Sequence, residues 1–209
     1  MNKQETRKEF QIIRKKITTE NKNIYSEIIT EKLKNSINIY IKNSVKNKTL
    51  NICLFAATKN EPNITNLLTL FTQEIIENKI NFYFPKCENY KNTFENIMNF
   101  YSVNILSDLE YLNTKFNILE PNKNCIILDI QNTQIDLFII PAVSIDQNKN
   151  RIGMGAGFYD RYFNKYFTIH NKKNSTIICT IFSEQISKTL FTEFIEKFDI
   201  PADTVVTEK

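Results

Sequence analysis

The chain has 209 residues, a formal net charge of +4, and 42% hydrophobic and 24% charged residues, the values of a globular protein rather than a disordered or fibrous one. Its apolar runs, such as 135–143 and 177–182, fall far short of the roughly 20 residues that a bilayer span needs, and its basic excess is spread out rather than gathered into the stripe of a nucleic-acid binder. A single domain over 1–209 is expected, without membrane or nucleic-acid partners; the charged opening MNKQETRKEF lacks the apolar stretch of a secretory signal, which points to the cytoplasm.

In chain order, Phe10, Ile13 and Ile17 recur at helical spacing and predict an amphipathic helix over 3–17; a second is predicted over about 24–41. Strands are predicted at 50–56 (LNICLFA) and 80–84 (INFYF), with a helix over 64–77 between them. Further strands are expected at 125–130 and 135–140, then a helix starting near Phe158, a strand over 176–182 and a short one around Val205. Strands alternating with helices predict an α/β three-layer sandwich with a largely parallel central sheet. The almost wholly apolar run 135–140 reads as a central strand covered on both faces. Polar stretches at 43–48 and 171–174 read as loops, and His170, beside the second, as a solvated side chain. Cys53, Cys87, Cys125 and Cys179 form no CxxC pair; three of them sit in apolar runs and read as buried, reduced thiols.

The only three glycines, Gly153, Gly155 and Gly157, alternate within RIGMGAGFYDR, at 151–161. In a chain that otherwise avoids glycine, this spacing asks for positive φ angles or for close approach of a ligand to the backbone. Between a buried strand and a helix, such a loop aims successive N–H groups into one concavity that suits phosphate. Arg151 and Arg161 flank it with guanidinium forks, and Asp160 adds a carboxylate for Mg²⁺, which takes one or two carboxylates plus phosphates and water. A Walker A loop would need Gly-Lys-Ser/Thr, and a dinucleotide fingerprint would need glycine where Phe158 stands. The same spacing also fits a merely tight turn, with Asp160 at the positive end of a helix dipole and both arginines solvated.

With its context, DLFIIPAVSIDQNKNRIGMGAGFYDRYF resembles the signature of the 5-formyltetrahydrofolate cyclo-ligase family. Other landmarks occur in family order: Lys3, Arg7 and Arg14; Glu61; Pro85-Lys86; Ile118-Leu119-Glu120-Pro121; Gln185; Asp199 and Asp203 before VVTE. The resemblance spans nearly the whole chain. It implies an enzyme that converts ATP and 5-formyltetrahydrofolate into 5,10-methenyltetrahydrofolate, ADP and phosphate, with Arg151 and Arg161 as catalytic cations.

Carried over residue by residue, it implies ATP binding by Lys3, Arg7, Arg151, Gly153, Met154, Gly155, Ala156, Gly157, Phe158 and Tyr159. It places the folate against Ala56, Glu61, Met154, Gly155, Ala156, Gly157 and Phe158, and Mg²⁺ on Asp160 and Asp199. ATP and the folate are the expected partners of a monomer. Ala156 stands where the family usually carries a lysine able to reach the transferred phosphate. Lys149 and Arg161 are the neighbouring cations in a position to compensate. Ile145, Asn150 and Phe158 depart more mildly. Ala156 also motivates a second reading, a non-catalytic nucleotide or folate binder of the same fold.

Overall fold

The computed structural model describes residues 2–43, 48–89, 96–113 and 118–209. Helix α1 (Lys3–Lys16) starts at Asn2, whose side chain accepts from the Gln4 and Glu5 amides at 3.0 and 2.9 Å while Glu5 accepts from the Asn2 amide. Three otherwise orphaned donors are satisfied by this reciprocal cap, which pins the helix start that carries Lys3 and Arg7. Next come α2 (Thr19–Asn43), β1 (Leu50–Cys53), α3 (Leu67–Leu70), α4 (Thr72–Ile76), β2 (Ile80–Asn89) and β3 (Asn96–Ser102). The chain continues through β4 (Leu109–Asn113), β5 (Ile118–Pro121), β6 (Leu137–Pro141), β7 (Ser144–Ile145) and β8 (Arg151–Ile152). It closes with α5 (Phe158–Ile169), β9 (Thr176–Thr180) and β10 (Thr204–Val206).

Six strands form the main sheet in the order β10-β9-β6-β1-β2-β3, all parallel except the β2–β3 edge pair. Because successive strand side chains point to opposite faces, Ile52, Leu54 and Ile139 pack on one side with Ile29, Leu33 and Ile37 of α2 and Leu67 and Leu68 of α3. Cys53, Phe138 and Ile140 pack on the other with Tyr162, Phe163 and Tyr166 of α5. These are the three expected layers.

Strands β1 and β6 are neighbours, in register at Ile52 with Leu137 and Cys53 with Phe138. From β1 the chain winds outward through β2 and β3, and from β6 it winds the opposite way through β9 and β10. Connections therefore diverge at the carboxyl ends of β1 and β6 and leave a crevice there, the usual ligand position in an open α/β sheet. The segment after β1 carries Ala56 and Glu61; the segment after β6 carries the glycine loop.

Several expectations need correction. Residues 125–130 are not a strand: Asn122 draws the Asn124 amide onto its side chain at 2.9 Å, turning the chain. Beyond this turn the chain only touches the β3 edge, through Ser102 N–H to Ile126 O and Leu128 N–H to Phe100 O, both 2.8 Å. The helix over 64–77 is two short helices separated at Phe71 (φ −115°, ψ 22°); there the Thr72 hydroxyl donates back to Thr69 O at 2.9 Å, an alternative to helical continuation. Strand β3 was not expected, since asparagines interrupt its apolar alternation.

His170 is not simply solvated: its ring stacks on Tyr166 and Nε2 lies 2.8 Å from Ile130 O. All four cysteines are free, but Cys87 and Cys125 are only partly buried. Burial pushes the Cys179 thiol up to about 12 and the Cys87 thiol up to about 11, so both stay protonated at neutral pH. Part of the loop expected at 43–48 lies outside the described residues.

Candidate active site

After β6, residues 142–150 fold back through the β7–β8 pair before entering the glycine loop. Gln185 locks this corner from the buried interior. Its side-chain amide donates to Ala142 O and Val143 O at 3.0 and 2.9 Å, and its side-chain oxygen accepts from the Phe182 amide at 3.0 Å. Asp146 holds the far side, accepting from Asn150 N–H at 2.8 Å and Phe191 N–H at 2.7 Å. The loop thus leaves a rigid base.

The three glycines serve different ends. Gly155 (φ +104°) and Gly157 (φ +66°) occupy the left-handed region, and arginines lie against both. A Cβ on Gly155 would stand 3.2 Å from Arg7 Cζ, and one on Gly157 2.9 Å from Arg161 Nη1. At Gly153 a Cβ would meet nothing within 4 Å, so this glycine leaves room for a ligand rather than relieving strain. Its carbonyl accepts from Arg7 Nε at 2.8 Å, tying α1 to the loop. Gly157 is also the N-cap of α5 and brings no side chain to cap the first turn, which leaves that turn's amides and dipole available to an anion.

A cavity of about 570 Å³ opens beside the loop, lined by Lys3, Arg7, Arg151, Gly153, Gly155, Gly157, Asp160, Arg161, Asn164, Glu196, Phe198 and Asp199. Four cations therefore share one concavity. Arg151 is nearly buried, ion-paired through Nη2 with Asp160 and walled by the Tyr159 and Phe163 rings; its Nε meets no acceptor among the described residues. Arg161 lies over the Phe158 ring. Lys3 Nζ donates to Asp199 at 2.6 Å. Burial raises the Asp160 carboxyl; the Arg151 charge opposes this and the Asp199 charge adds to it.

Two carboxylates close enough to repel, one of them desolvated, beside a cluster of phosphate-binding cations, form a hard-oxygen donor set that suits Mg²⁺. Among the described residues no group of three or more acidic, cysteine or histidine side chains is assembled for a metal, so phosphate oxygens and water would complete the shell.

A second group lies across the loop, outside the cavity. Glu61 accepts from the Thr58 amide at 2.8 Å and faces Arg14 Nη1 at 3.5 Å, with both side chains buried. Arg14 Nη2 lies 3.0 Å from Met154 Sδ. Burial, then the Glu61 charge, raises the Tyr159 hydroxyl well above its usual value. Ala56 is buried in the apolar cluster at the end of β1.

Lys3, Arg7, Arg151, the three glycines, Asp160, Arg161 and Asp199 are thus brought together. Met154 and Ala156 of the loop, and Phe158 and Tyr159 of the first turn of α5, do not line the cavity. Of the two cations flanking Ala156, Lys149 is turned away, donating to Asp203 O at 2.7 Å, whereas Arg161 faces the cavity. Sequence reasoning missed Asn164, Glu196 and Phe198 of the cavity lining, and it gave Arg14 no role. Arg14 was findable, since it lies on the same helical stripe as Lys3, Arg7 and buried Phe10.

Comparison with known proteins bears on the family and the fold. Residues 1–208 match the model of the 5-formyltetrahydrofolate cyclo-ligase family. A probable 5-formyltetrahydrofolate cyclo-ligase of Schizosaccharomyces pombe is 29% identical over 124 residues, 59% of this chain and 56% of that protein. The Haemophilus influenzae 5-formyltetrahydrofolate cyclo-ligase is 32% identical over 98 residues, 42% of this chain and 46% of its own length. The chain therefore spans about half the length of the curated relatives it matches. The solved structure of a 5,10-methenyltetrahydrofolate synthetase from Mycoplasma pneumoniae superposes with a TM-score of 0.69 at 20% identity, covering 100% of both chains, and shares the fold. With a family match from end to end, and the glycine loop set where the sheet's connections diverge, the chain belongs to the 5-formyltetrahydrofolate cyclo-ligase family.

Proposed function

We propose that the protein is an ATP-dependent 5-formyltetrahydrofolate cyclo-ligase, acting as a cytoplasmic monomer. The observation that carries the reading is the position of the glycine loop, which has a cation-lined cavity on one side and the buried Glu61 and Arg14 on the other. Two ligands of opposite chemistry, a polyphosphate and a heterocycle with N–H donors, would meet across one strip of backbone.

The reaction follows from the chemistry of the formyl group. A formamide oxygen is a poor leaving group. Transfer of the γ-phosphoryl group breaks its bond to ADP and forms a bond to that oxygen, leaving an electrophilic iminium carbon. N10 attacks this carbon and loses its proton, and the carbon–oxygen bond breaks to release phosphate and the methenyl ring.

Phosphoryl transfer asks the protein for positioning and charge neutralisation. Arg151, held by Asp160, Tyr159 and Phe163, is a preorganised cation; Arg161, Lys3 and Arg7 add further charge, Lys3 shared with Asp199, and the first-turn amides of α5 add dipoles. One such donor is worth about 10²–10³ in rate in a dry site. Asp160 and Asp199 would hold Mg²⁺, which neutralises phosphate charge. No cysteine or histidine nucleophile is needed, in keeping with the protonated thiols and the structural His170.

Incubation with ATP, Mg²⁺ and 5-formyltetrahydrofolate tests the reading, with the methenyl product and ADP followed together; equal amounts of the two are expected. Ala156 favours the competing reading of a non-catalytic binder. Measurable ATP binding without product above a no-enzyme control would establish that alternative.

A further inference from the structure

Arg14 is an unusual buried cation. Its side chain is 4% exposed, yet among the described residues its five N–H donors meet only Glu61 Oε1, at a long 3.5 Å, and the thioether of Met154. Its Nε is buried and meets no acceptor among the described residues. Buried guanidinium groups are normally saturated by oxygen acceptors, because the desolvation cost is otherwise unrecovered. A salt bridge alone leaves most of this side chain unexplained. Covering it is Met154, a loop residue 54% exposed, unbranched and easily moved. Swinging that side chain aside would open the Arg14–Glu61 pair to the crevice.

The pair then presents a cationic donor next to a carboxylate that holds one backbone N–H and has lone pairs to spare. Along one edge, a 4-oxo pterin displays an acceptor oxygen at C4, a donor N3–H and a donor 2-amino group. Acceptor, donor, donor is the complement of guanidinium followed by two carboxylate oxygens.

Resting on the cyclo-ligase reading, we propose that Arg14 is a substrate-recognition residue: it donates to the 4-oxo oxygen of the pterin while Glu61 accepts from N3–H and the 2-amino group. Arg14 thereby selects 4-oxo pterins over 4-amino ones, whose amino group would aim a donor at the guanidinium. It also ties recognition to α1, the helix that carries Lys3 and Arg7 into the cavity.

The test compares binding of 5-formyltetrahydrofolate and its 4-amino counterpart by calorimetry, without ATP so that no turnover occurs. The wild-type protein is expected to prefer the 4-oxo compound about tenfold or more, the scale of a hydrogen bond to a charged group. Arg14→Met is expected to lower that preference about tenfold by weakening the 4-oxo ligand, with ATP affinity unchanged; any remainder belongs to Glu61, which meets N3–H in the 4-oxo compound and a bare N3 in the 4-amino one. Arg14→Lys, which keeps the charge but not the fork, should show an intermediate ratio. It also provides the test if the apolar variant does not fold. A purely structural Arg14 would weaken both ligands equally. Equal wild-type affinities, or a wild-type ratio in the variants, overturn the assignment of Arg14 alone; a wild-type protein that binds neither ligand overturns the cyclo-ligase reading itself.

Discussion

The two sides of the glycine loop use arginine in opposite ways. On the cavity side, Arg7 and Arg161 line open space, Arg7 donating to Gly153 O and Arg161 lying over the Phe158 ring, and only Arg151 is nearly buried, against Asp160 and two aromatic rings. On the other side, Arg14 is sealed beneath Met154 with a single carboxylate. Open, clustered charge suits a mobile, multiply charged ligand, because several weak contacts can be exchanged for phosphate oxygens. One desolvated pair suits a neutral heterocycle, because its directional hydrogen bonds are strongest where water is excluded.

The largest effect that would break this comparison is expected at Arg151. Removing its charge in Arg151→Met leaves Asp160 partly buried and uncompensated, which should cost about 3–5 kcal/mol of stability and roughly 10²–10³ in turnover. Denaturant unfolding and product formation measure the two. A stable, active variant would show that the cavity is not organised around this pair.

A smaller loss is expected at the carboxylates. Asp160→Asn and Asp199→Asn should each raise the Mg²⁺ requirement by about tenfold or more, read from turnover against Mg²⁺ concentration; unchanged dependence in both would remove the metal assignment. The sign of the pH effect comes from the raised Asp160 carboxyl. Holding its proton more tightly when folded, it favours folding below the unfolded value of about 3.9. This contribution is lost as pH rises through the raised folded value. Mg²⁺ needs the ionised form, so Mg²⁺-dependent ATP binding should fall on acidification through that same range. Asp160→Asn should flatten the stability profile there.

The glycines sharpen the comparison further. Gly155→Ala forces a side chain into the left-handed region and against Arg7, at a cost of about 1–3 kcal/mol. Gly153→Ala meets open space and should alter stability by no more than about 0.5 kcal/mol. Its methyl would nevertheless project into the ligand's room and weaken ATP binding in titration calorimetry. Equal stability losses in the two variants would mean that the loop needs Gly153 for its own folding.

The smallest expected effect is a gain. Ala156→Lys should raise turnover severalfold by adding a fixed cation near the transferred phosphate. A loss would mean that Arg161, which faces the cavity where Lys149 does not, already fills that electrostatic role.

Much of this architecture was legible in local pattern. Phe10, Ile13 and Ile17 marked the first helix, and the unbroken apolar run at 135–140 marked a strand covered on both faces. What failed, failed for local reasons. Asn122 turned an apolar segment that would otherwise pass for a strand, the Thr72 hydroxyl broke an otherwise plausible helix, and the asparagines of β3 hid an edge strand. At the site, the three glycines pointed to the loop, but Asn164 and Phe198 carry no signal of their own. They line the cavity only because α5 and the chain after residue 190 fold beside each other.

By itself, the sequence determined the α/β class, the family and the place of the glycine loop, because periodicity, glycine scarcity and flanking charge are properties of neighbouring residues. Only the tertiary structure decided that Arg7 lies on Gly155, that Arg161 rather than Lys149 faces the cavity, and that Arg14 is buried against Glu61. Each of these depends on the sheet's diverging connections, which bring α1, the end of β1 and the glycine loop together across more than a hundred residues of chain. The electrostatic role of a cation is set by its desolvation and by the charges folded around it, and neither is a local property.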